Sequence, residues 1–196
     1  PLGLMEAIAE HYGDFGILQI DAHADLRPAY EGFQYSHASI MWNALKMTTL
    51  KTLTQVGIRD LCQQELELIH ENPNRIHTFF DADLKEAAHQ GVAWGQSIQE
   101  IIDTLPQYVY VSFDIDGLDP KLCPNTGTPV PGGLDFGEVL SLFKALVKSG
   151  RRIAGFDLCE VSPGETEWDA NVGARILYKL CCWTAASQGK LQAIDH

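Results

Sequence analysis

The chain has 196 residues, which is enough for one domain with a sizeable hydrophobic core. Its composition, 45% hydrophobic and 20% charged, is that of an ordinary soluble globular protein, and its formal net charge is −12. Nucleic acids and anionic membranes need a basic face on their partners, so this balance argues against both. A cationic substrate or a bound metal is compatible with the charge, although an acidic solvated surface explains it equally.

The five cysteines show no Cys-x-x-Cys spacing, and Cys181 and Cys182 are adjacent. An odd number of cysteines without a disulfide framework predicts reduced thiols in a cytoplasmic protein. The sequence begins at Pro1 and runs directly into a helical pattern. We therefore expect either that residues precede Pro1 in a parent protein or that the chain was trimmed.

Apolar periodicity predicts helices and strands that alternate along the chain. The predicted elements, in order, are a helix over 2–12, a strand over 15–20, a helix over 37–48, a strand over 53–58, a helix over 60–71 capped by Asp60, a strand over 76–80, helices over 81–90 and 96–105, a strand over 108–113, a Pro/Gly-rich loop over 117–133, a helix over 135–148, a strand over 152–158 and a helix over 168–187. Such alternation is typical of a parallel sheet covered by helices. We predict a single three-layer α/β/α domain over residues 1–196.

Two of the predicted strands lead into clusters of acidic residues. Asp21, His23 and Asp25 alternate after the first strand, and Asp114 and Asp116 follow the strand at 108–113. Alternate residues of an extended chain point the same way, and parallel sheets place functional groups beyond their carboxyl ends. Gathering four carboxylates costs several kcal/mol of repulsion and desolvation unless cations offset it. The pattern therefore predicts a metal site.

Oxygen ligands with an imidazole suit Mn²⁺ or Mg²⁺ better than a thiolate-binding metal. Five ligands suit two ions about 3.5–4 Å apart that share bridging carboxylates. Each cluster taken alone has a simpler interpretation, a turn capped by aspartates. The presence of both at strand ends of one chain favours the metal.

The motifs that carry these residues resemble those of the ureohydrolase family of arginases, agmatinases and formiminoglutamases. They are DAHAD at 21–25, SFDIDGLDP at 112–120, NTGTPVPGG at 125–133 and FDLCEVSP at 156–163. The resemblance covers nearly the whole chain and favours agmatinase-like members. It implies an arginase-like fold, two Mn²⁺ ions (with Ni²⁺ or another divalent ion as alternatives), and a homotrimer or hexamer.

Carried over by position, the resemblance implies that Asp21 and Asp114 bridge the two ions. Asp25 would bind the first ion, and His23 and Asp116 the second. A hydroxide bridging the ions would attack the guanidinium carbon, with Asp25 orienting it and passing its proton to the departing amine.

Two further residues gain a role only through the resemblance. His37 would be a proton shuttle, and Glu160 would hold the guanidinium fork of the substrate. Helix capping or packing is the structural alternative for His37, and a surface-loop acid is the alternative for Glu160.

Three features depart from the family pattern: one missing motif and two substituted positions. The family takes one more histidine ligand from an upstream Gly-Gly-Asp-His-Ser type motif, which this sequence does not contain. Asn125 stands where the family has a small residue, and Ser162 stands where asparagine is usual. We therefore expect a domain that lacks an N-terminal portion of the family fold, with an activity that depends on the missing ligand.

The resemblance implies hydrolysis of a C–N bond in a linear amidine, with urea released from a guanidino compound. Among the candidate substrates we rank agmatine, a compound of polyamine metabolism, first. Arg27 would instead favour a substrate with a carboxylate tail, such as guanidinobutyrate or formiminoglutamate, unless Glu31 pairs with Arg27. Free guanidine is a further candidate substrate. The rivals from other classes are a non-catalytic homologue with an incomplete site and a deacetylase-like single-metal hydrolase.

Overall fold

Helices and strands alternate along the computed structural model, which describes residues 1–191; residues 192–196 of the predicted domain lie outside the described part. The helices are α1 (Leu2–Tyr12), α2 (Ile40–Ala44), α3 (Gln63–Glu71), α4 (Asp81–His89), α5 (Trp94–Asp103), α6 (Phe136–Lys148) and α7 (Trp168–Ser187). The strands are β1 (Phe15–Ile20), β2 (Leu50–Ile58), β3 (Ile76–Phe80), β4 (Tyr108–Asp114) and β5 (Arg152–Cys159). Single 3₁₀ turns cover His37–Ser39 and Ile115–Gly117.

The five strands form one parallel sheet in the order β3-β2-β1-β4-β5. All six residues of β1 are buried, as expected for a central strand covered on both faces. The strand order reverses between β1 and β4, and α/β sheets open a crevice at the carboxyl ends of the strands at such a point. The predicted fold class is confirmed, and the crevice lies where the acidic clusters begin.

Helices cover both faces of the sheet with separate apolar cores. Leu18 and Ile20 of β1 belong to the core that includes residues of α4, α5, α6 and α7. Phe15 and Ile17 belong to the other core, formed with residues of α1, α2 and α3. The alternation of side chains along β1 thus produces the three predicted layers.

Two predicted helices differ from the structure. The helix predicted over 37–48 is a 3₁₀ turn followed by the short α2, because the Asp25 carbonyl accepts hydrogen bonds from the Met41 and Trp42 amides at 3.1 and 3.2 Å. The helix predicted from Asp60 begins at Gln63, since the Glu65 carboxylate accepts the Cys62 amide at 2.8 Å. Both local contacts override the periodicity. In residues 1–191 no helix has the length and hydropathy to cross a membrane.

Candidate metal centre

A cavity of about 390 Å³ opens at the carboxyl ends of β1, β4 and β5. Side chains from all three strand ends line it, because the strand order brings these ends to one edge of the sheet. Every candidate site residue named from the sequence lies on its wall: Asp21, His23, Asp25, His37, Asp114, Asp116 and Glu160. The roles of these residues stay predictions, but their position at one cavity is a property of the fold.

One half of the site, here called the His23 half, consists of Asp21, His23 and Asp116. Single ligand atoms from these three residues lie within 4.8 Å of one another. The Nδ1 atom of His23 is 3.0 Å from an oxygen of Asp116 and 3.5 Å from an oxygen of Asp21. Asp21 and Asp116 are buried, so the partly exposed imidazole lies between two buried carboxylates.

The charges of the His23 half compensate one another. The hydrogen bond to Asp116, followed by that to Asp21, raises the pKa of His23 to about 10. Burial is the largest influence on the pKa of Asp116 and raises it, but the hydrogen bond and charge of His23, together with the hydrogen bond from the Ala22 amide, outweigh burial and the pKa is lowered. Burial raises the pKa of Asp21 to about 6. A metal ion bound here would take the place of the proton on His23, because a histidine ligand must be neutral.

The other half, here called the Asp114 half, consists of Asp25 and Asp114. Burial, followed by the charges of Asp21 and Asp116, raises the pKa of Asp114 to about 9. Burial, followed by the charge of Asp21, raises the pKa of Asp25 well above its ordinary value. Asp25 also has a φ of 56°, in the left-handed region that costs a non-glycine residue about 1 kcal/mol or more.

Divalent cations fit this donor set. Asp21, Asp25, Asp114, Asp116 and His23 share one cavity. Burial, followed by the charges of neighbouring carboxylates, raises the pKa values of Asp21, Asp25 and Asp114. Carboxylate oxygens with one imidazole are ligands that Mn²⁺ accepts. The structure therefore offers a site in which bound cations would remove an existing electrostatic penalty.

His37 and Glu160 approach the cavity from outside the strand-end clusters. His37 is exposed at the start of its 3₁₀ turn, with its ring edge-on to Tyr30 at a centroid distance of 5.3 Å. Glu160 follows β5 directly and has a φ of 60°. Its carbonyl accepts a hydrogen bond from Thr126 at 3.0 Å, which joins the end of β5 to the loop over 117–133.

Sequence patterns missed a residue that holds this loop in place. The Arg59 guanidinium, just beyond β2, donates to backbone carbonyls of Gly57, Asp116, Leu118 and Val130 at 2.7 to 3.2 Å. It thereby fixes the turn that carries Asp116. An arginine after a strand is a weak signal, because its partners lie up to 71 positions away.

Arg27 has a partner that the sequence did not indicate. Its Nε atom is 3.6 Å from the Glu65 carboxylate, and its guanidinium lies over the Tyr30 ring at 5.5 Å from the centroid. The pairing with Glu31 that the sequence left open is replaced by this contact with Glu65. The positive charge of Arg27 is therefore partly balanced before any ligand enters.

Asn125, one of the departures from the family pattern, has a structural explanation. Its backbone and side-chain N–H groups each donate to the Asp169 carboxylate at 2.9 Å. Asp169 is buried at the start of α7, so a small residue at 125 would leave this carboxylate without one donor.

Comparison with known proteins agrees with the geometry. A model of the arginase family matches residues 1–182. The chain is 34% identical over 194 residues to the N(1)-aminopropylagmatine ureohydrolase of Thermus thermophilus, covering 98% of this chain and 62% of that protein. It is 30% identical over 183 residues to the agmatinase of Bacillus subtilis, covering 90% of this chain and 58% of that protein.

A solved structure shares the fold. Proclavaminate amidino hydrolase from Streptomyces clavuligerus superposes with a TM-score of 0.80 at 28% identity, covering 95% of this chain and 61% of that one. The chain thus spans about three fifths of the length of these relatives. Because the family model matches most of the residues of this chain, the chain belongs to the arginase family.

Proposed function

We propose that the chain acts as a metal-dependent hydrolase, which cleaves a C–N bond of a linear amidine and releases urea from a guanidino compound. The observation that carries this proposal is the meeting of the two acidic clusters and Glu160 at one cavity. In the reaction, water adds to the guanidinium carbon and the bond to the substituted nitrogen breaks. The products are urea and an amine, which takes up a proton.

Two divalent ions, Mn²⁺ in the first place, would be held by Asp21, His23, Asp25, Asp114 and Asp116 and would lower the pKa of water enough to supply hydroxide near neutral pH. Asp25 is proposed to orient the water-derived nucleophile and to pass its proton to the departing amine. His37 lies exposed on the rim, where it can exchange protons with solvent.

Glu160 is the group best suited to hold the guanidinium. A carboxylate can accept two parallel N–H donors from the planar fork, and such charge-assisted pairs are strong and directional. Gly127 faces Glu160 so closely that a Cβ atom at Gly127 would lie 3.3 Å from its carboxylate oxygen. A glycine at 127 therefore leaves the approach to Glu160 open.

The tail of the substrate is proposed to be cationic. Asp60 lines the cavity with an exposed carboxylate, and Arg27 is already engaged by Glu65 and Tyr30. An ammonium tail such as that of agmatine would meet Asp60, whereas a carboxylate tail would have to draw Arg27 away from Glu65. Agmatine therefore ranks above guanidinobutyrate and formiminoglutamate.

A longer polyamine tail is a second candidate. One of the similar proteins is named for N(1)-aminopropylagmatine, whose tail would extend beyond Asp60 toward solvent. The exposed aromatic rings of Tyr30, Phe33 and Tyr35 lie on the loop next to the cavity, where they could contact such a tail.

The proposal is tested by assaying the chain with Mn²⁺ or Ni²⁺ on agmatine, N(1)-aminopropylagmatine, guanidinobutyrate, arginine and guanidine for urea, and on formiminoglutamate for formamide. The Bacillus subtilis agmatinase serves as the positive control. We expect urea from agmatine above all others. Product from no compound, with the control active, would favour a non-catalytic homologue.

Metal content separates the remaining rivals. About two ions per chain support the binuclear hydrolase, one ion supports a deacetylase-like site, and none supports the non-catalytic homologue. A cytoplasmic location and a homotrimer or hexamer, both expected from the sequence, stay predictions.

A further inference from the structure

A row of polar side chains crosses the sheet one residue pair below the candidate metal site. Gln19 of β1 pairs in register with Gln55 of β2, and Gln55 pairs with Thr78 of β3. Gln19 and Gln55 are completely buried among apolar side chains. A buried amide is unfavourable unless its hydrogen bonds are satisfied, so these residues require an explanation beyond packing.

The hydrogen bonds of this row run toward Asp21. The Thr78 hydroxyl donates to the Gln55 side-chain carbonyl at 2.9 Å. The Gln55 side-chain NH₂ donates to the Gln19 side-chain carbonyl at 2.7 Å and to the Ala24 backbone carbonyl at 2.8 Å. The Gln19 side-chain NH₂ then donates to the Asp21 carboxylate at 2.9 Å and to the His23 carbonyl at 3.2 Å.

This pattern permits only one orientation of each amide. Both hydrogens of each NH₂ group are used, and each side-chain carbonyl faces a donor. A flip of Gln19 would turn its carbonyl oxygen toward the Asp21 carboxylate and the His23 carbonyl, placing three acceptors together. Gln55 opposes that flip because the Ala24 carbonyl accepts a hydrogen bond and so requires the Gln55 NH₂ group on its side.

The hydrogen bonds of this row also determine which lone pairs of the Asp21 carboxylate remain free. One oxygen of Asp21 accepts from Gln19, and the other accepts from the His23 backbone amide at 2.7 Å. Each carboxylate oxygen has two lone pairs. The oxygen bound to Gln19 keeps one, and the other oxygen, which lies 3.5 Å from His23 Nδ1, gains one when a metal ion displaces the His23 proton. A carboxylate that is to bind two cations needs this condition.

We propose that Gln19 is a positioning residue that sets the orientation of the Asp21 carboxylate, and that Gln55 and Thr78 act on the site through Gln19. The proposal rests on the proposed function, because the orientation matters when Asp21 binds cations. Groups that orient metal ligands through hydrogen bonds typically change metal affinity by about 10- to 100-fold when removed.

The test compares Mn²⁺ affinity, measured by titration calorimetry, in the unmodified chain and in Gln19→Met, Gln55→Met and Thr78→Val. Methionine has a similar length but lacks the NH₂ donor. We expect Gln19→Met to weaken Mn²⁺ binding by about 10- to 100-fold. Gln55→Met should have a smaller effect and Thr78→Val the smallest, in the order of the hydrogen-bond chain.

Thr54→Val is the matched control. Thr54 is completely buried on β2 and loses a hydrogen bond of 2.7 Å to Thr104 in this variant, but it takes no part in the row. Thermal unfolding of every variant is recorded in parallel. A purely structural role for Gln19 would lower stability as Thr54→Val does and leave Mn²⁺ affinity unchanged, which would overturn the proposal.

Crystal structures of the unmodified chain and Gln19→Met provide the second readout, which does not require bound metal. A rotated Asp21 carboxylate in the variant supports the proposal, and an unmoved one overturns it. If the unmodified chain binds no Mn²⁺, the proposed function fails, and the orientation of Asp21 in these structures alone then decides whether Gln19 positions it.

Discussion

The two halves of the candidate metal centre hold their acidic groups in different ways. In the His23 half, an imidazole lies between Asp21 and Asp116, and its protonated form balances their charge. In the Asp114 half, burial, followed by the charges of neighbouring carboxylates, raises the pKa values of Asp25 and Asp114, so ionising both carboxyls is unfavourable in the metal-free site. One half is a preformed ion pair, whereas the other depends on a cation to become ionised.

The largest expected effect comes from removing Asp114. If Asp21 and Asp114 bridge two ions, Asp114→Ala should lose both ions and reduce urea release to background. Elemental analysis and the urea assay measure this together. Asp119→Ala, which removes a carboxylate bound to Lys121 in the same loop, is the control. One ion retained per chain would show that the His23 half binds metal independently of the Asp114 half.

His37 lies outside both halves, so its removal should affect proton transfer alone. We expect His37→Ala to lower turnover by about 100-fold, the lower limit for a general acid or base, without changing metal content. Steady-state kinetics with agmatine and elemental analysis measure the two effects. Unchanged turnover would exclude His37 as the proton shuttle.

The stability of the metal-free chain should depend on pH in a defined direction. The folded-state pKa of Asp114 is about 9, far above its unfolded value of 3.8, so its contribution is complete below about pH 4 and is lost as pH rises through 9. His23, raised from 6.5 to about 10, acts in the same direction at higher pH. We therefore expect the melting temperature to fall between pH 5 and 9.

Two comparisons show which half is responsible for this fall. Asp114→Asn should reduce the slope by removing one raised carboxyl, while Asp21 and Asp25 continue to contribute, as does His23 above pH 6.5. Mn²⁺ should stabilise the unmodified chain more at pH 8 than at pH 6, because its ligands must lose protons to bind it. A melting temperature that rises with pH in the metal-free chain would contradict the description of the Asp114 half.

Replacing Asp60 has the smallest expected effect, a change in the KM for agmatine. Its exposed carboxylate is 3.8 Å from His23 Nε2 at the edge of the His23 half. Loss of an exposed ion pair costs about 1 kcal/mol, so Asp60→Asn should raise the KM for agmatine about fivefold with little change in kcat. Guanidinobutyrate lacks the ammonium, so its KM should show no such rise. An equal rise for both compounds would show that Asp60 does not contact the ammonium tail.

The part of the fold that sequence patterns predict is the part governed by local burial. The apolar run of β1, interrupted by Gln19, marks a central strand, and the acids at the ends of β1 and β4 mark the edge of the sheet where the cavity opens. Helix starts were less accurate where one side chain or carbonyl redirects the chain, as Glu65 does before α3.

The contacts that organise the site could not be predicted in the same way. Gln19 meets Gln55 only because β2 lies beside β1, and Arg59 meets Val130 only after the loop over 117–133 has folded back. Gln19 breaks the apolar run of β1, and a polar residue in such a run, two positions before the Asp-x-His-x-Asp motif, is a signal that could have been used.

The left-handed backbone at Asp25 limits how this position can be replaced. Asparagine, like aspartate, tolerates such a φ, whereas alanine and most larger residues would be strained there. Asp25→Asn is therefore the substitution that removes the negative charge with least disturbance of the chain that leads to Met41 and Trp42. If Asp25 has the proposed role, Asp25→Asn would be inactive with a native backbone, and the conformation of this one residue would select the variant for crystallisation with an uncleaved guanidino compound.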